Sequence, residues 1–142
     1  MTIAPEAPGE FNALFSRNQL KGEHLATFAF ATAHEPLAKE ASILWLIDCE
    51  GAEDDLPEMQ AELAARSSFI IECHDVFKPG VTDRLRTWLA PTHDVEIIEE
   101  SGRNPNAVPA FGGLSGFEKS LICCELRAGT QNWIYARPRR AP

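Results

Sequence analysis

Two short runs hold most of the residues able to do acid–base or metal chemistry: Asp48-Cys49-Glu50-Gly51-Ala52-Glu53 and Glu72-Cys73-His74-Asp75. Each follows a compact apolar stretch, residues 42–47 (SILWLI) and 68–71 (SFII), and so stands where a strand gives way to a turn or helix. Carboxylates and an imidazole gathered at strand ends can share general acid–base work or hold a divalent cation. Alternation along an extended chain puts Glu72 and His74 on one side and Cys73 on the other. Cys73 and His74 therefore do not form a thiol nucleophile with its base. Asp48, Glu50 and His74 are the candidate catalytic residues, and Glu72 and Asp75 the candidate substrate-binding residues. No metal ligand is assigned, because a His near an Asp is more often hydrogen-bonded structure than a ligand. A metal-dependent hydrolase or transferase using Asp48, Glu50, Glu72 and His74 stands as a weaker alternative. Glu53 and Asp54 are read as partners of the following helix dipole, with Gly51 supplying a tight turn.

The elements that must position these groups alternate along the chain. Residues 8–21 place Phe11, Leu14, Phe15 and Leu20 at helical spacing, with Gly22 as a stop. Residues 25–31 (LATFAFA) read as a strand. Residues 42–47 form a second, apolar enough to be buried on both faces as in a parallel sheet. A helix is expected over 52–66, with Leu56, Met59, Leu63 and Ala64 on one face, then a strand over 68–71 and a helix over 82–89 behind the breakers Pro79 and Gly80. Beyond Pro91 only strands are expected, at 95–98, 121–126 and 133–136, the last two forming a terminal hairpin. Residues 100–118 are long enough to suspect a lid or substrate loop. The expected core includes Leu44, Leu46, Phe69, Ile71, Leu85 and Trp88. This order implies an α/β fold, Rossmann-like, with a mostly parallel sheet, helices on both faces and an antiparallel end. The acids at 48, 50 and 72 and His74 then share one rim, since ligands bind at the carboxyl ends of strands in open α/β sheets.

Composition narrows the partners. A chain of 142 residues with 44% hydrophobic content suits a single folded domain. Its net charge of −8 opposes nucleic-acid binding, which draws on counterion release by Lys and Arg. No stretch has the roughly 20 apolar residues of a membrane span or the apolar run of a signal peptide, so a cytoplasmic location without membrane attachment is expected. The four cysteines lack CxxC spacing and read as reduced thiols.

The segment Glu6-Ala7-Pro8-Gly9-Glu10-Phe11-Asn12-Ala13-Leu14, with Asn18 and Gly22, looks like the turn and helix after the second strand of class I methyltransferases dependent on S-adenosylmethionine. Ile47-Asp48-Cys49-Glu50-Gly51-Ala52-Glu53 resembles the FkbM-type run that closes the fourth strand of that fold. Ile71-Glu72-Cys73-His74-Asp75 resembles the next strand end, and Glu125-Leu126-Arg127 with Trp133 and Pro138 is similar to the terminal hairpin of some members. The resemblance implies S-adenosylmethionine as cofactor, Glu6 on its ribose, and Thr32 and Ala33 beside its adenine. It also implies methyl transfer to an oxygen of a small molecule or sugar. The resemblance begins after the family's first strand, glycine-rich turn and first helix, which implies a partial domain over residues 1–142 and weak or absent cofactor binding by this chain alone. A homo-oligomer is compatible with a sheet lacking its central strand. The alternative from another class is a catalytically silent binding or assembly subunit that keeps the fold.

Overall fold

A computed structural model describes residues 42–124 and 129–139, together with residues 13, 15–19, 30 and 37. Within the expected first helix, Ala13 and residues 15–17 are helical; in the expected strand over 25–31, Phe30 has 3-10 geometry. Residues 18–19 form a turn; the remainder of those two segments lies outside the described residues, as do Glu6, Thr32, Ala33 and residues 125–128.

The described elements, in order, are β1 (Ile43–Ile47), a 3-10 segment (Ala52–Glu58), α1 (Ala61–Ala65), β2 (Ser67–Cys73), α2 (Val81–Leu89), β3 (His93–Glu99), two 3-10 turns (Pro105–Ala107 and Pro109–Phe111), α3 (Gly116–Ile122) and β4 (Asn132–Pro138). The strands form one mixed sheet in the order β1-β2-β4-β3. β1 runs parallel to β2 with Ile47 opposite Ile71. β4 enters between β2 and β3 and runs antiparallel to both. Three strands therefore point one way and the last opposes them. The antiparallel pairing arises by insertion of β4 rather than from a hairpin of the last two elements.

Alternation dictates what the sheet buries. Trp45 and Ile47 of β1, Phe69, Ile71 and Cys73 of β2, and Ile134 and Ala136 of β4 share one face and are buried. Leu56 and Met59, Leu63 and Ala64 of α1, and Val81, Leu85 and Leu89 of α2 close over the same core. The spacing of the last three, four residues apart, is the apolar stripe of one helix face. Trp88 packs edge-on against Phe69 and is partly buried. The opposite face corrects an expectation: Leu44 is 61% and Leu46 71% exposed, so β1 is buried on one face only and neither leucine belongs to the core. Ile98 and Tyr135 are exposed on that same face.

Two further expectations change. The helix over 52–66 is broken into a 3-10 segment and α1, with Pro57 inside the first piece and Met59 and Gln60 extended between them. Proline lacks an N–H and its ring obstructs the preceding turn, which ends regular helix there. Its four apolar residues still face the core. The strand expected at 121–126 is instead the end of α3 through Ile122. Ser115 caps that helix and Glu118 reaches back to the Ser115 N–H, a reciprocal capping box. The long segment after β3 is accordingly structured by two 3-10 turns and the start of α3. Among the described residues, no helix is long and apolar enough to cross a membrane.

Candidate functional site

The parallel register of β1 and β2 brings the chain after Ile47 level with the chain after Ile71, so the two acidic runs emerge side by side. β1 ends in a tight turn in which Glu50 has φ +53° and Gly51 φ +103°. A left-handed glutamate has no steric relief of the kind glycine enjoys, and costs about 1–2 kcal/mol. That turn directs the Glu50 side chain back toward the end of β2. Gly51 also sits tightly against the loop after β2, where an added Cβ would lie 3.3 Å from Lys78 Cγ and 3.5 Å from Phe77 Cβ.

Glu53 joins the two strand ends. Wholly buried, its carboxylate accepts the Gly51 N–H at 2.8 Å, the His74 N–H at 2.7 Å and a weak Cys49 thiol contact at 3.5 Å. It also lies 3.1 Å from His74 Nδ1. The expected role of Glu53 at a helix dipole gives way to another: it is the buried clamp of the site. The opposite ring nitrogen, Nε2, is buried and has no hydrogen-bond partner among the described residues. It faces Asp48 Oδ1 at 3.6 Å and Glu50 Oε2 at 3.5 Å. The three groups present one ligand atom each, all within 4.8 Å of one another. Both carboxylates are open to solvent while the imidazole is 1% exposed. Phe77 stacks on the ring, with centroids 5.8 Å apart and planes inclined by 23°. Its position is fixed by the turn in which the His74 carbonyl accepts the N–H groups of Phe77 and Lys78.

A carboxylate is acceptor-only, and Glu53 already receives two backbone N–H groups. The Nδ1 facing it is therefore a nitrogen that carries hydrogen, and Nε2 is the ring nitrogen turned toward Asp48 and Glu50. His93 provides the contrast. It is equally buried, yet its Nε2 meets the Ser67 carbonyl at 2.8 Å and its Nδ1 the Thr92 hydroxyl at 2.8 Å, so it is a satisfied core histidine.

The other expected residues separate from this cluster. Asp75 turns both carboxylate oxygens to Thr82, its N–H and its hydroxyl, and so anchors the start of α2. Glu72 is buried opposite Trp133, on the sheet face away from Cys73, and is not one of the three clustered groups. Asp54 pairs with Arg84 at 2.8 Å and Lys78 at 4.0 Å, so those cations serve Asp54. Burial first, then the nearby Glu53 charge, pushes the Cys49 thiol up to about 12. Burial likewise pushes Cys73 up to about 12. Both are inert neutral thiols at physiological pH. The sequence does not announce the roles of Glu53 and Phe77. Its one signal is that Glu53 follows Gly51 by two residues, and that pattern reads equally well as a helix start.

No protein-family model matches the chain, and neither curated proteins nor solved structures gave a match. Its functional reading therefore rests on these residues and their geometry.

Proposed function

We propose that the chain carries the acceptor-side machinery of a Rossmann-like methyltransferase dependent on S-adenosylmethionine, acting on an oxygen of a small molecule or sugar. The observation that carries this reading is the buried, unpartnered Nε2 of His74 aimed between Asp48 and Glu50. It stands at the carboxyl end of a parallel strand pair, where α/β sheets bind ligands, within the runs that resemble FkbM-like proteins. The cofactor, when bound, supplies an electrophilic methyl group. The residues expected to hold it, Glu6, Thr32 and Ala33, lie outside the described residues, and the described ones supply the acceptor side alone.

His74 accepts the acceptor's hydroxyl proton at Nε2. Glu53 holds Nδ1–H in place and offsets the positive charge that the ring acquires, as a buried carboxylate does for a catalytic imidazole. Asp48 and Glu50, exposed and adjacent, accept hydrogen bonds from further hydroxyls and orient the acceptor for in-line attack. A polyhydroxylated acceptor suits such a pair.

The test is incubation of the protein with millimolar cofactor labelled with carbon-13 in its methyl group and a panel of sugars, polyols and phenols. High cofactor concentration offsets weak binding by mass action. A labelled methoxy product is expected, with a rate lowered about 100-fold or more in His74→Asn, the usual scale for losing a general base. Absence of product with every acceptor would contradict the proposal. The second reading, a silent binding or assembly subunit, would then prevail; the exposed Leu44, Leu46, Ile98 and Tyr135 on one sheet face are the observation that favours it.

A further inference from the structure

We propose that Asp48, Glu50 and His74 form a binding site for a divalent transition cation, with zinc and manganese as the matching types. With hydrogen on Nδ1, Nε2 of His74 and the two carboxylate oxygens are all acceptors, and they converge with no donor between them among the described residues. Their separations of 3.5 and 3.6 Å exceed those of hydrogen bonds, so a proton on the ring does not satisfy the arrangement well. A cation does. Bonds of about 2.1 Å place neighbouring ligands about 3.0 Å apart in an octahedron and about 3.4 Å apart in a tetrahedron.

The surroundings fit the same occupant. The Glu53 carboxylate at 3.1 Å from Nδ1 is the outer partner that metal-bound histidines characteristically have, and it fixes the ring with Nε2 outward. Two carboxylates and one neutral imidazole carry the charge that balances a dication. The imidazole in the set favours zinc over magnesium and calcium, and the two carboxylates suit manganese, an oxygen-seeking ion that stands with zinc among the transition metals. Among the described residues, the ion pairs of Asp48 and Glu50 are both with His74, so no lysine or arginine occupies the position. Three protein ligands on one side, two of them solvent-facing, leave coordination positions open to an incoming oxygen. The cation site stands on its own geometry; a bound cation takes up the Nε2 lone pair, so under the methyl-transfer reading on which this use rests it would replace His74 as the group that activates the acceptor hydroxyl, by polarising it.

Zn²⁺ and Mn²⁺ are titrated separately into the full chain by calorimetry, without cofactor or acceptor, with Mg²⁺ as the comparator. One Zn²⁺ or Mn²⁺ per chain is expected, with Mg²⁺ bound more weakly. Asp48→Asn and Glu50→Gln should each weaken binding at least about tenfold, the scale on which metal sites respond to altered ligation. Both changes are at exposed side chains, so the fold survives them, and Glu99→Gln, exposed at the end of β3, serves as the unaffected control. Mn²⁺ should also broaden the amide resonances of Gly51 and His74 before those of β3. Binding that is unchanged in Asp48→Asn and Glu50→Gln would overturn the proposal, since it would place the ion elsewhere, Zn²⁺ on the thiols of Cys123 and Cys124 included. No saturable binding of either ion would overturn it as well. Cation binding without methyl transfer would leave this site standing and refute the catalytic reading; methyl transfer without cation binding would do the reverse.

Discussion

His74 and His93 show how little residue type alone decides. Both are buried, but His93 commits both ring nitrogens to the fold while His74 commits one and leaves the other facing two carboxylates. Asp48, Glu50 and His74 are legible in the sequence because each ends or follows an apolar run, and strand ends are where an α/β sheet exposes its chemistry. Glu53 is not legible, since an acid in the first turn of a helix is ordinarily a dipole partner and only the register of β1 against β2 shows that it reaches His74. Asp75 misleads for the opposite reason: its place at a strand end looks functional, but Thr82 claims it. The clamp role of Glu53 has a stability consequence. In Glu53→Gln an amide NH₂ replaces one acceptor oxygen and confronts buried N–H donors, so a loss of about 1–3 kcal/mol is expected, measured by urea unfolding. An unchanged midpoint would show that Glu53 does not bind the strand ends together.

At the scale of elements, the core-forming stretches are readable where period and length agree. α2 buries Val81, Leu85 and Leu89, and β2 alternates between a fully buried face and its opposite. Pattern misleads where a local device competes with it. Pro57 interrupts an otherwise continuous helical stripe, and α3 replaces a strand because Ser115-Gly116-Phe117-Glu118 carries a capping box that is visible in the sequence. The two Ser115 hydrogen bonds hold the Glu118 carboxyl below its ordinary range. A carboxyl whose folded value is depressed lends stability above its unfolded value and loses it as pH falls through the folded one. α3 is therefore expected to be intact at neutral pH and to fray in acid below the normal glutamate range. Amide exchange across residues 115–122 as a function of pH reads this directly. Glu118→Gln, which keeps the box without the charge, should flatten the dependence; an unaltered pH profile in that variant would contradict the assignment.

For the molecule as a whole, the α/β class and the parallel β1–β2 pair agree with expectation, whereas the mostly parallel sheet does not, since both pairings of β4 are antiparallel, nor does the burial of β1 on both faces. An apolar run such as SILWLI specifies a strand but not what lies against each side, because that depends on strand order and on neighbours distant in sequence. Sheet order has the same origin: nothing local to β4 announces that it enters between β2 and β3. The arrangement nonetheless fixes the feature on which function turns, since parallel strands in register deliver two loops to one rim and Glu53 locks them there. This lock turns Nδ1 of the His74 ring to Glu53 and Nε2 toward Asp48 and Glu50, and the acid–base role and the cation site each require a lone pair on Nε2 there. Long-range proton–nitrogen NMR of the histidine rings reads which ring nitrogens carry hydrogen without intermediaries. His74 is expected to show the Nδ1–H form, uncommon in free histidine, with an Nε2 signal that responds to added Zn²⁺ while those of His93 do not. An Nε2–H form of His74, indifferent to Zn²⁺, would contradict it.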